Sequence, residues 1–358
     1  MEERDGWVIP AHYGDPSAEY RAVRGGGGAG LVDLSMRGLI EVSGSEAAQF
    51  LNGLITNDVA RLAEGAWMPA AFPNAQGRLI ASARVLRRDG RFLFDTEAVT
   101  RESVRKTLER FTLAGDFRVH EATNESSLLS VQGARAPEII GATLGDEAAR
   151  VDRGRILQAQ WRAGGVTLIR ATHTAEDGFD LFVKAQEATQ LWDALARAGA
   201  VPVGFDALEV LRIEAGQPRY GLDMNESNVV LETGLDDAVS FTKGCYIGQE
   251  IIARIHWRGH VAKRLAGLSF DDGSEVEREA RVRSTDDREI GRVTSAAFSP
   301  RLSRTVALGY VKYDYLKPET EVKVVSGDVE RAARVVELPF VRGSWFETAP
   351  GDDEGSRA

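Results

Sequence analysis

The chain has 358 residues, of which 43% are hydrophobic and 27% are charged, and its formal net charge at pH 7 is −10. This length exceeds what one hydrophobic core usually organises, so we expect two or three domains. The acidic balance argues against nucleic-acid binding. The longest apolar runs have only the length of a strand, which argues against a membrane span. The single cysteine and the polar N-terminus, which does not resemble a signal peptide, predict a cytoplasmic protein.

A glycine-rich run at residues 25–30 follows the polar leader. Gly25, Gly27 and Gly30 satisfy the pattern G-x-G-x-x-G, but no apolar strand precedes them and no helix follows, as dinucleotide binding would require. We therefore interpret the run as a flexible loop. The apolar residues at 31–35 predict a strand instead.

The chain then shows the same order of elements twice, without a repeated residue pattern. In the first pass the predicted strands are 38–42, 67–72, 79–86, 91–95 and 117–120, and the predicted helices are 45–54, capped by Ser45, and 101–111. In the second pass the predicted strands are 128–131, 156–161, 166–171, 179–183 and 201–203, and the predicted helices are 137–144 and 186–198. Helices against antiparallel sheet predict an α+β fold. We place an N-terminal domain at 1–125 and a ferredoxin-like domain at 126–204.

Short strands dominate the third part of the chain, which begins near residue 261. They are predicted at 265–270, 281–284, 291–297, 306–311, 321–325 and 332–338, with turn residues between them. This spacing is typical of a small all-β barrel or sandwich. The corresponding domain is placed at 261–345, followed by a tail at 346–358.

The only cysteine lies in segment 243–250, whose sequence is KGCYIGQE. A lone thiol can form no internal disulfide and cannot supply the thiolates of a structural zinc or iron–sulfur site. Lys243 and a helix predicted from Gln249 to Arg254 should lower the pKa of the Cys245 thiol, which suits a nucleophile or redox group. The alternative is a small buried side chain, the usual environment of an isolated cysteine. Cys245 and Lys243 are the candidate catalytic residues.

Glu214 projects from the apolar face of a helix predicted at 207–214, with Asp206 as its N-cap. A buried carboxylate must be paired or hydrogen-bonded, because burial without a partner is costly. A salt bridge to Arg212 or Arg219 would meet this need. Equally, the two oxygens could accept hydrogen bonds from paired N–H donors of a ligand.

The five histidines form no recognisable metal-binding pattern. His256 and His260 are four residues apart, but Gly259 would break the helix that could align them. No metal is therefore predicted.

Segment 243–250 resembles the signature of YgfZ-type folate-binding proteins, which are relatives of the glycine-cleavage T-protein, a folate-dependent aminomethyltransferase. Three further parts of the chain resemble the same superfamily in the same order: residues 31–35 with 50–59, residues 211–216 with 220–224, and residues 291–295 with 298–300. The resemblance extends over nearly the whole chain. It implies a three-domain ring of two α/β domains and a C-terminal antiparallel β-barrel, with residues 205–260 packed between the domains around a central cavity.

In this superfamily the central cavity holds tetrahydrofolate, so the resemblance implies tetrahydrofolate or a derivative as the cofactor. The glutamate that matches Glu214 accepts hydrogen bonds from the pterin 2-amino group and ring N–H. Lys243 is expected near the carboxylate end or a carbonyl oxygen of the folate. Tyr220, Asp223 and Gln249 complete the expected folate-binding residues.

One departure from the T-protein pattern concerns the catalytic position. After residues 74–77, the T-protein has two adjacent acids, the second of which is implicated in catalysis, whereas this chain has Ala81 and Ser82. Neither side chain can act as a general acid or base, or stabilise a cation as a carboxylate does. Pro69 stands near the position of an aromatic residue that lines the pterin site.

The departure argues against aminomethyl transfer by the T-protein mechanism. The resemblance to YgfZ-type proteins implies instead an accessory role in iron–sulfur cluster assembly or repair, with Cys245 as the reactive thiol and transient contacts to iron–sulfur client or assembly proteins. The alternative is a folate-dependent aminomethyltransferase or demethylating one-carbon enzyme, in which Asp95, Asp223 or Glu250 replaces the missing acid. A third hypothesis is an interaction module without a ligand.

Overall fold

In the computed structural model of the chain, the described residues are 1–347 with gaps at 5, 111, 114 and 163, and only the backbone is described for residues 2 and 4. The predicted tail lies outside this part from residue 348 onward. The helices are α1 Pro16–Arg24, α2 Ala47–Leu54, α3 Arg101–Glu109, α4 Ala136–Leu144, α5 Asp146–Ala149, α6 Ala188–Arg197, α7 Phe205–Glu214 and α8 Gln249–Arg258. The strands are β1 Glu2–Arg4, β2 Trp7–Ile9, β3 Gly30–Asp33, β4 Gly38–Ser43, β5 Ala66–Pro73, β6 Leu79–Arg88, β7 Arg91–Thr96, β8 Arg118–Glu121, β9 Ser126–Gln132, β10 Ile156–Trp161, β11 Gly164–Arg170, β12 Gly178–Lys184, β13 Val201–Pro202, β14 Lys263–Phe270, β15 Arg281–Ser284, β16 Glu289–Ser299, β17 Arg304–Lys312, β18 Glu321–Ser326 and β19 Val329–Val336.

The first sheet is antiparallel and has the strand order β5-β6-β7-β4-β8. Helices α2 and α3 cover one of its faces, where Leu51 and Leu108 pack against Phe72 and Phe94. Burial alternates along β6, because successive side chains point to opposite faces of a sheet. The side chain of Ala81 enters this core, and that of Ser82 points to the opposite face, which carries the candidate site.

The second sheet has the order β10-β11-β12-β9-β3-β13 and is antiparallel except for the parallel pair of β3 and β13. Helices α4 and α6 pack on one face through Ile140 and Leu191. Strand β3 belongs to this sheet although it precedes the first sheet in the chain. Residues 1–125, which we predicted to be one domain, therefore contribute to both sheets.

Helix α7 connects the sheets to the C-terminal part. Leu208 and Leu211 pack in a core that also contains Leu93 of the first sheet and Ile169 of the second. On its other side, Ile213 packs against the residues of strands β14 and β17. Side chains on α7 are therefore held by both sheets and by the C-terminal domain at once.

The C-terminal strands form a closed antiparallel barrel in the order β14-β17-β16-β15-β18-β19, with β14 pairing β19 to complete the ring. Leu268, Val282, Val293 and Val335 fill its interior. The structure thus resolves the choice between barrel and sandwich. The expected α+β fold with two α/β units and a C-terminal antiparallel barrel is confirmed.

Several local predictions were wrong at helix ends. Helix α1 occupies part of the segment that we interpreted as a polar leader, and the side chain of Asp15 caps it by accepting from Ser17 N at 2.9 Å. Helix α7 has Gly204 rather than Asp206 at its N-cap. Ser45 does not cap α2, since its hydroxyl donates to Asp116 instead. Helix α8 continues four residues past the predicted end, to Arg258.

Candidate active site

A cavity of about 360 Å³ lies where the two sheets and α7 meet. Its walls combine apolar side chains with several charged ones. The apolar lining includes Leu34, Met36, Trp67, Pro69, Phe205, Leu208 and Met224, and the polar lining includes Arg37, Ser82, Arg84, Glu97, His173, Arg212, Arg219 and Asp237. This combination suits a flat, partly polar ligand of moderate size.

Strands β5 and β6 carry Pro69 and Ser82, two positions at which this chain differs from the T-protein pattern. Pro69 lies opposite Arg84 in the register of the two strands, and Ala71 lies opposite Ser82. Pro69 and Ser82 both line the cavity. The positions where the T-protein pattern has an aromatic residue and an acid therefore face the same space, and this chain lacks both side chains there.

Asp95 is not available as the replacement acid. Its carboxylate is fully buried and lies between two arginines, 2.5 Å from Arg37 Nε and 2.6 Å from Arg84 Nε. Burial disfavours the charge of Arg37, but the carboxylates of Asp95 and Glu97 outweigh this effect and raise the pKa of the guanidinium. The charge of Asp95 is thus already compensated within the cavity wall.

His173 and Asp180 form a second charged group at the cavity. His173 Nε2 lies 2.9 Å from Asp180 Oδ2, and Asp180 also pairs with Arg84. Burial opposes ionisation of Asp180, yet the charges of His173 and Arg84 hold the pKa of its carboxyl below the usual range. Sequence reasoning missed His173, because it lies in a loop with no metal-binding or catalytic pattern around it.

Glu214 does not line this cavity, and its expected folate contact stays a prediction. Its buried carboxylate accepts from Tyr20 Oη at 2.7 Å, Arg24 Nε at 3.0 Å and Ser299 Oγ at 2.5 Å. The charge does require a partner, as its place on the apolar face of α7 predicted. The partner is Arg24, not Arg212 or Arg219, and both oxygens are used.

Asp223 and Tyr220 lie in the loop after α7, and neither lines the cavity. The carboxylate of Asp223 accepts from Arg212 Nη1 at 2.5 Å, Arg219 N at 3.0 Å and Thr294 Oγ1 at 2.6 Å. Tyr220 donates to the carbonyl oxygen of Leu79 at 3.2 Å, and burial raises its pKa to about 12. These contacts join the loop to α7, the first sheet and the barrel. The two expected folate contacts stay predictions.

Lys243 also makes structural contacts. Its ammonium group donates to the backbone carbonyl oxygens of Ile55 at 2.9 Å and Asn57 at 2.6 Å, and it lies 5.1 Å from the centre of the Tyr246 ring. Burial lowers the pKa of Lys243 to about 8, although the charge of Asp58 opposes the shift. The side chain fastens segment 243–250 to the chain after α2 and does not line the cavity.

The rest of segment 243–250 also lies outside the cavity lining. Cys245 and Glu250 are exposed, and Gln249 is the first residue of α8. Gly248 precedes the helix with φ +78°, where a Cβ atom would lie 2.4 Å from the carbonyl oxygen of Asn74. A tight turn against residues 74–77 thus explains this glycine. The structure does not bring Cys245, Lys243 or Gln249 to a common ligand site.

Asp237 is a cavity residue that sequence reasoning missed. The side-chain amide of Asn57 donates to the carbonyl oxygens of Pro69 at 2.8 Å and Asp237 at 3.0 Å, which fixes the backbone of Asp237 beside β5. Within the described ranges, no Lys, Arg or His forms an ion pair with its carboxylate. Asp237 is exposed, but the protein around its carboxyl group displaces part of the surrounding water. This desolvation raises the pKa of Asp237, and the charge of Asp236 adds to the effect.

The described part of the chain contains neither a metal-binding cluster nor a helix that could span a membrane. No cluster of three or more His, Cys, Asp or Glu residues there could hold a metal ion. No helix there has both the length and the apolar character that a membrane crossing requires.

Sequence comparisons identify the family. Residues 1–243 match the GCVT N-terminal domain, and residues 263–342 match the glycine cleavage T-protein C-terminal barrel domain. The chain is 34% identical over 340 residues to an aminomethyltransferase from Rubrobacter xylanophilus, covering 94% of this chain and 89% of the relative. It is 33% identical over 355 residues to one from Symbiobacterium thermophilum, covering 94% and 92%.

A solved structure has the same fold. The crystal structure of the glycine cleavage system aminomethyltransferase T from Bartonella henselae superimposes with a TM-score of 0.86 and 24% identity, covering 95% of this chain and 94% of that one. The prediction of an iron–sulfur accessory protein was wrong, because the relatives that match nearly the whole chain are named aminomethyltransferases. Tetrahydrofolate or a derivative, the expected cofactor, is confirmed at the level of the family. We conclude that the chain belongs to the glycine cleavage T-protein family.

Proposed function

We propose that this protein is a tetrahydrofolate-dependent aminomethyltransferase whose reaction takes place in the cavity beside Ser82. The observation that carries the proposal is the position of the cavity. It lies where both sheets meet α7, and it is lined by Pro69 and Ser82, the two positions of the departure from the T-protein pattern. The relatives named aminomethyltransferases each match over 94% of this chain.

The residues at the cavity fit tetrahydrofolate. A volume of about 360 Å³ is within the range of ligand pockets, and Trp67 and Phe205 offer apolar surface to the flat rings. Glu97 uses one oxygen for Arg37, at 2.6 Å, which leaves the other for N–H donors of the pterin. Arg219, 3.1 Å from Glu209, has further N–H donors for a folate carboxylate. Tetrahydrofolate, when bound, supplies the nitrogen that receives the one-carbon unit.

Asp237 is the carboxylate that we assign to the missing acid. When the bond between the donor and an aminomethyl carbon breaks, positive charge develops on the CH₂–NH₂ group. A carboxylate placed beside that carbon stabilises such charge electrostatically. Asp95 and Asp223, two of the acids expected from sequence, are each neutralised by arginine. Glu250 is exposed on α8, outside the cavity lining. The carboxylate of Asp237 lines the cavity without such a partner among the described side chains.

Segment 243–250 resembles the YgfZ-type signature, and we propose that it marks a branch within the T-protein family. Its contacts support a structural role, because Lys243 holds backbone carbonyls and Cys245 faces solvent. The reducing compartment stays a prediction from the single cysteine.

Carbon-13 NMR tests the proposed reaction. The protein is mixed with tetrahydrofolate and an aminomethyl thioether labelled at the transferred carbon, and we expect the label to move to tetrahydrofolate in a protein-dependent reaction. Asp237→Asn should slow this transfer by about 100-fold or more, because it removes the unpaired charge. The matched control is Asp236→Asn, whose carboxylate pairs with Arg264 and does not line the cavity. Absence of transfer by the unaltered protein would reject the proposal, and equal rates for the two variants would reject the role of Asp237.

A further inference from the structure

The cavity contains a histidine–aspartate pair that the proposed function does not yet use. His173 lies in the loop between β11 and β12, which is closed at its base by the hydrogen bond from Ala171 N to Gly178 O at 2.9 Å. The backbone N–H of His173 donates to Gln132 Oε1 at 2.9 Å. Its ring meets Asp180 on β12, with Nε2 at 2.9 Å from Oδ2 and 3.2 Å from Oδ1. Hydrogen bonds of both the backbone and the ring of His173 therefore fix the position of the imidazole.

The pairing determines which ring nitrogen is free. Asp180 is completely buried and ionised beside Arg84, so it can only accept hydrogen bonds. His173 Nε2 must then carry the proton that is donated to Asp180, and Nδ1 of the neutral ring keeps an unshared electron pair. Nδ1 makes no hydrogen bond to the described residues. The side chain lines the cavity and is 24% exposed.

The ring of His173 adjoins a connected cluster of charges in the cavity wall. The cluster consists of Arg37 and Arg84 with Asp95, Glu97 and Asp180. Two positive side chains thus face three negative ones. A positive charge that arises beside this cluster during the reaction therefore meets a net negative surrounding.

We propose that His173 is the proton carrier of the reaction in this cavity and that Asp180 is its positioning residue. This inference rests on the proposed aminomethyl transfer. His173 Nδ1 takes the proton that the acceptor nitrogen must lose when its electron pair forms the new bond to carbon. It passes that proton to the donor atom, which keeps the electron pair of its broken bond to the same carbon. The ring ends in its initial state, and no further reactant is required.

The first test compares His173→Gln with His120→Gln, an exposed control whose ring pairs with Glu125 at 3.0 Å. We expect His173→Gln to lower kcat by about 100- to 10,000-fold and to leave tetrahydrofolate affinity unchanged, since a proton carrier acts in the transition state. Added imidazole should partly restore His173→Gly, which a merely structural role would not explain. Full activity of His173→Gln, or loss of affinity without rescue, would overturn the proposal.

The second test does not depend on turnover. Nitrogen-15 NMR of the histidine rings should show the Nε2–H form for His173, and tetrahydrofolate should shift its Nδ1 resonance but not those of His120. Asp180→Asn should change the ring to a mixture of forms. An Nδ1–H form, or no response to tetrahydrofolate in a protein that binds it, would overturn the proposal. If the unaltered protein transfers no aminomethyl group, the proposed function fails, and the ring resonances still decide whether His173 faces the ligand.

Discussion

Arg24 and Glu214 form a buried ion pair, with Arg24 Nε 3.0 Å from Glu214 Oε2. The pair joins α1, near the start of the chain, to the last residue of α7. Arg24 also binds Glu176 at 2.8 Å, and Ser299 of the barrel donates to Glu214. One buried cluster therefore fixes α7 against α1, the second sheet and the barrel, and so holds the walls of the cavity in place.

The first prediction concerns the stability that this cluster provides. Glu214→Gln keeps the shape of the side chain but leaves Arg24 with a buried charge and one fewer acidic partner. We expect the free energy of unfolding to fall by about 3–5 kcal/mol, the usual cost of breaking a buried pair. Urea denaturation measures it, and Glu250→Gln on the exposed face of α8 should have little effect. Unchanged stability with lost tetrahydrofolate affinity would show that Glu214 binds the ligand directly.

The second prediction concerns the volume of the cavity. Ser82 is half-buried and points into it, so Ser82→Phe should fill space that the ligand requires. We expect tetrahydrofolate affinity, measured by calorimetry, to fall at least about tenfold, with little change in the melting temperature. Ser82→Ala is the matched control, because it leaves the space open, and it should bind normally. Normal binding by Ser82→Phe would place the ligand elsewhere.

The third prediction concerns the single thiol. Cys245 is exposed and does not line the cavity, so it should react with an alkylating reagent in the folded protein. Cys245→Ala should retain the rate of aminomethyl transfer within about twofold, as expected for an exposed residue remote from the chemistry. A loss of tenfold or more would restore a catalytic role to the thiol.

The fourth prediction concerns Lys243 and pH. Its pKa is about 8 in the folded protein, against an ordinary value of 10.5. Between these values the unfolded chain holds a proton that the folded chain has released, so this group makes the folded state more stable as pH rises. Below about pH 8 both states are protonated, and the penalty for burying the charge is constant.

Denaturation of Lys243→Met across pH 7 to 10 measures this contribution. As pH rises above about 8, the unfolding free energy of the unaltered protein should increase relative to that of the variant. For Lys184→Met, at an exposed position, the curve of unfolding free energy against pH should run parallel to that of the unaltered protein. Parallel curves for Lys243→Met would show that the ammonium group is not desolvated.

Much of the fold was readable from local pattern. Alternation along β6 and the regular short strands after residue 261 predicted the sheets and the barrel. The assignment of β3 was not readable, because strand pairing depends on partners that are distant in the chain: Leu31 pairs with Val131. Helix α1 was missed because it is short and buries only two apolar side chains, Tyr20 and Val23.

The site was predicted less well than the fold. The apolar face of α7 correctly required a partner for Glu214, but Arg24 is 190 residues away, and no local rule connects the two. The backbone partners of Lys243 were not readable either, because Ile55 and Asn57 lie far from it in the sequence. Asp237 and His173 belong to no motif, since only the folded chain brings them to one cavity.

Hydrogen exchange with mass spectrometry, with and without tetrahydrofolate, tests most directly whether the ligand occupies the cavity beside Ser82 and Asp237. We predict that tetrahydrofolate slows amide exchange in residues 66–84 and 217–238 and leaves residues 243–258 unchanged. Slower exchange confined to residues 243–258, with no effect at the cavity walls, would contradict the account.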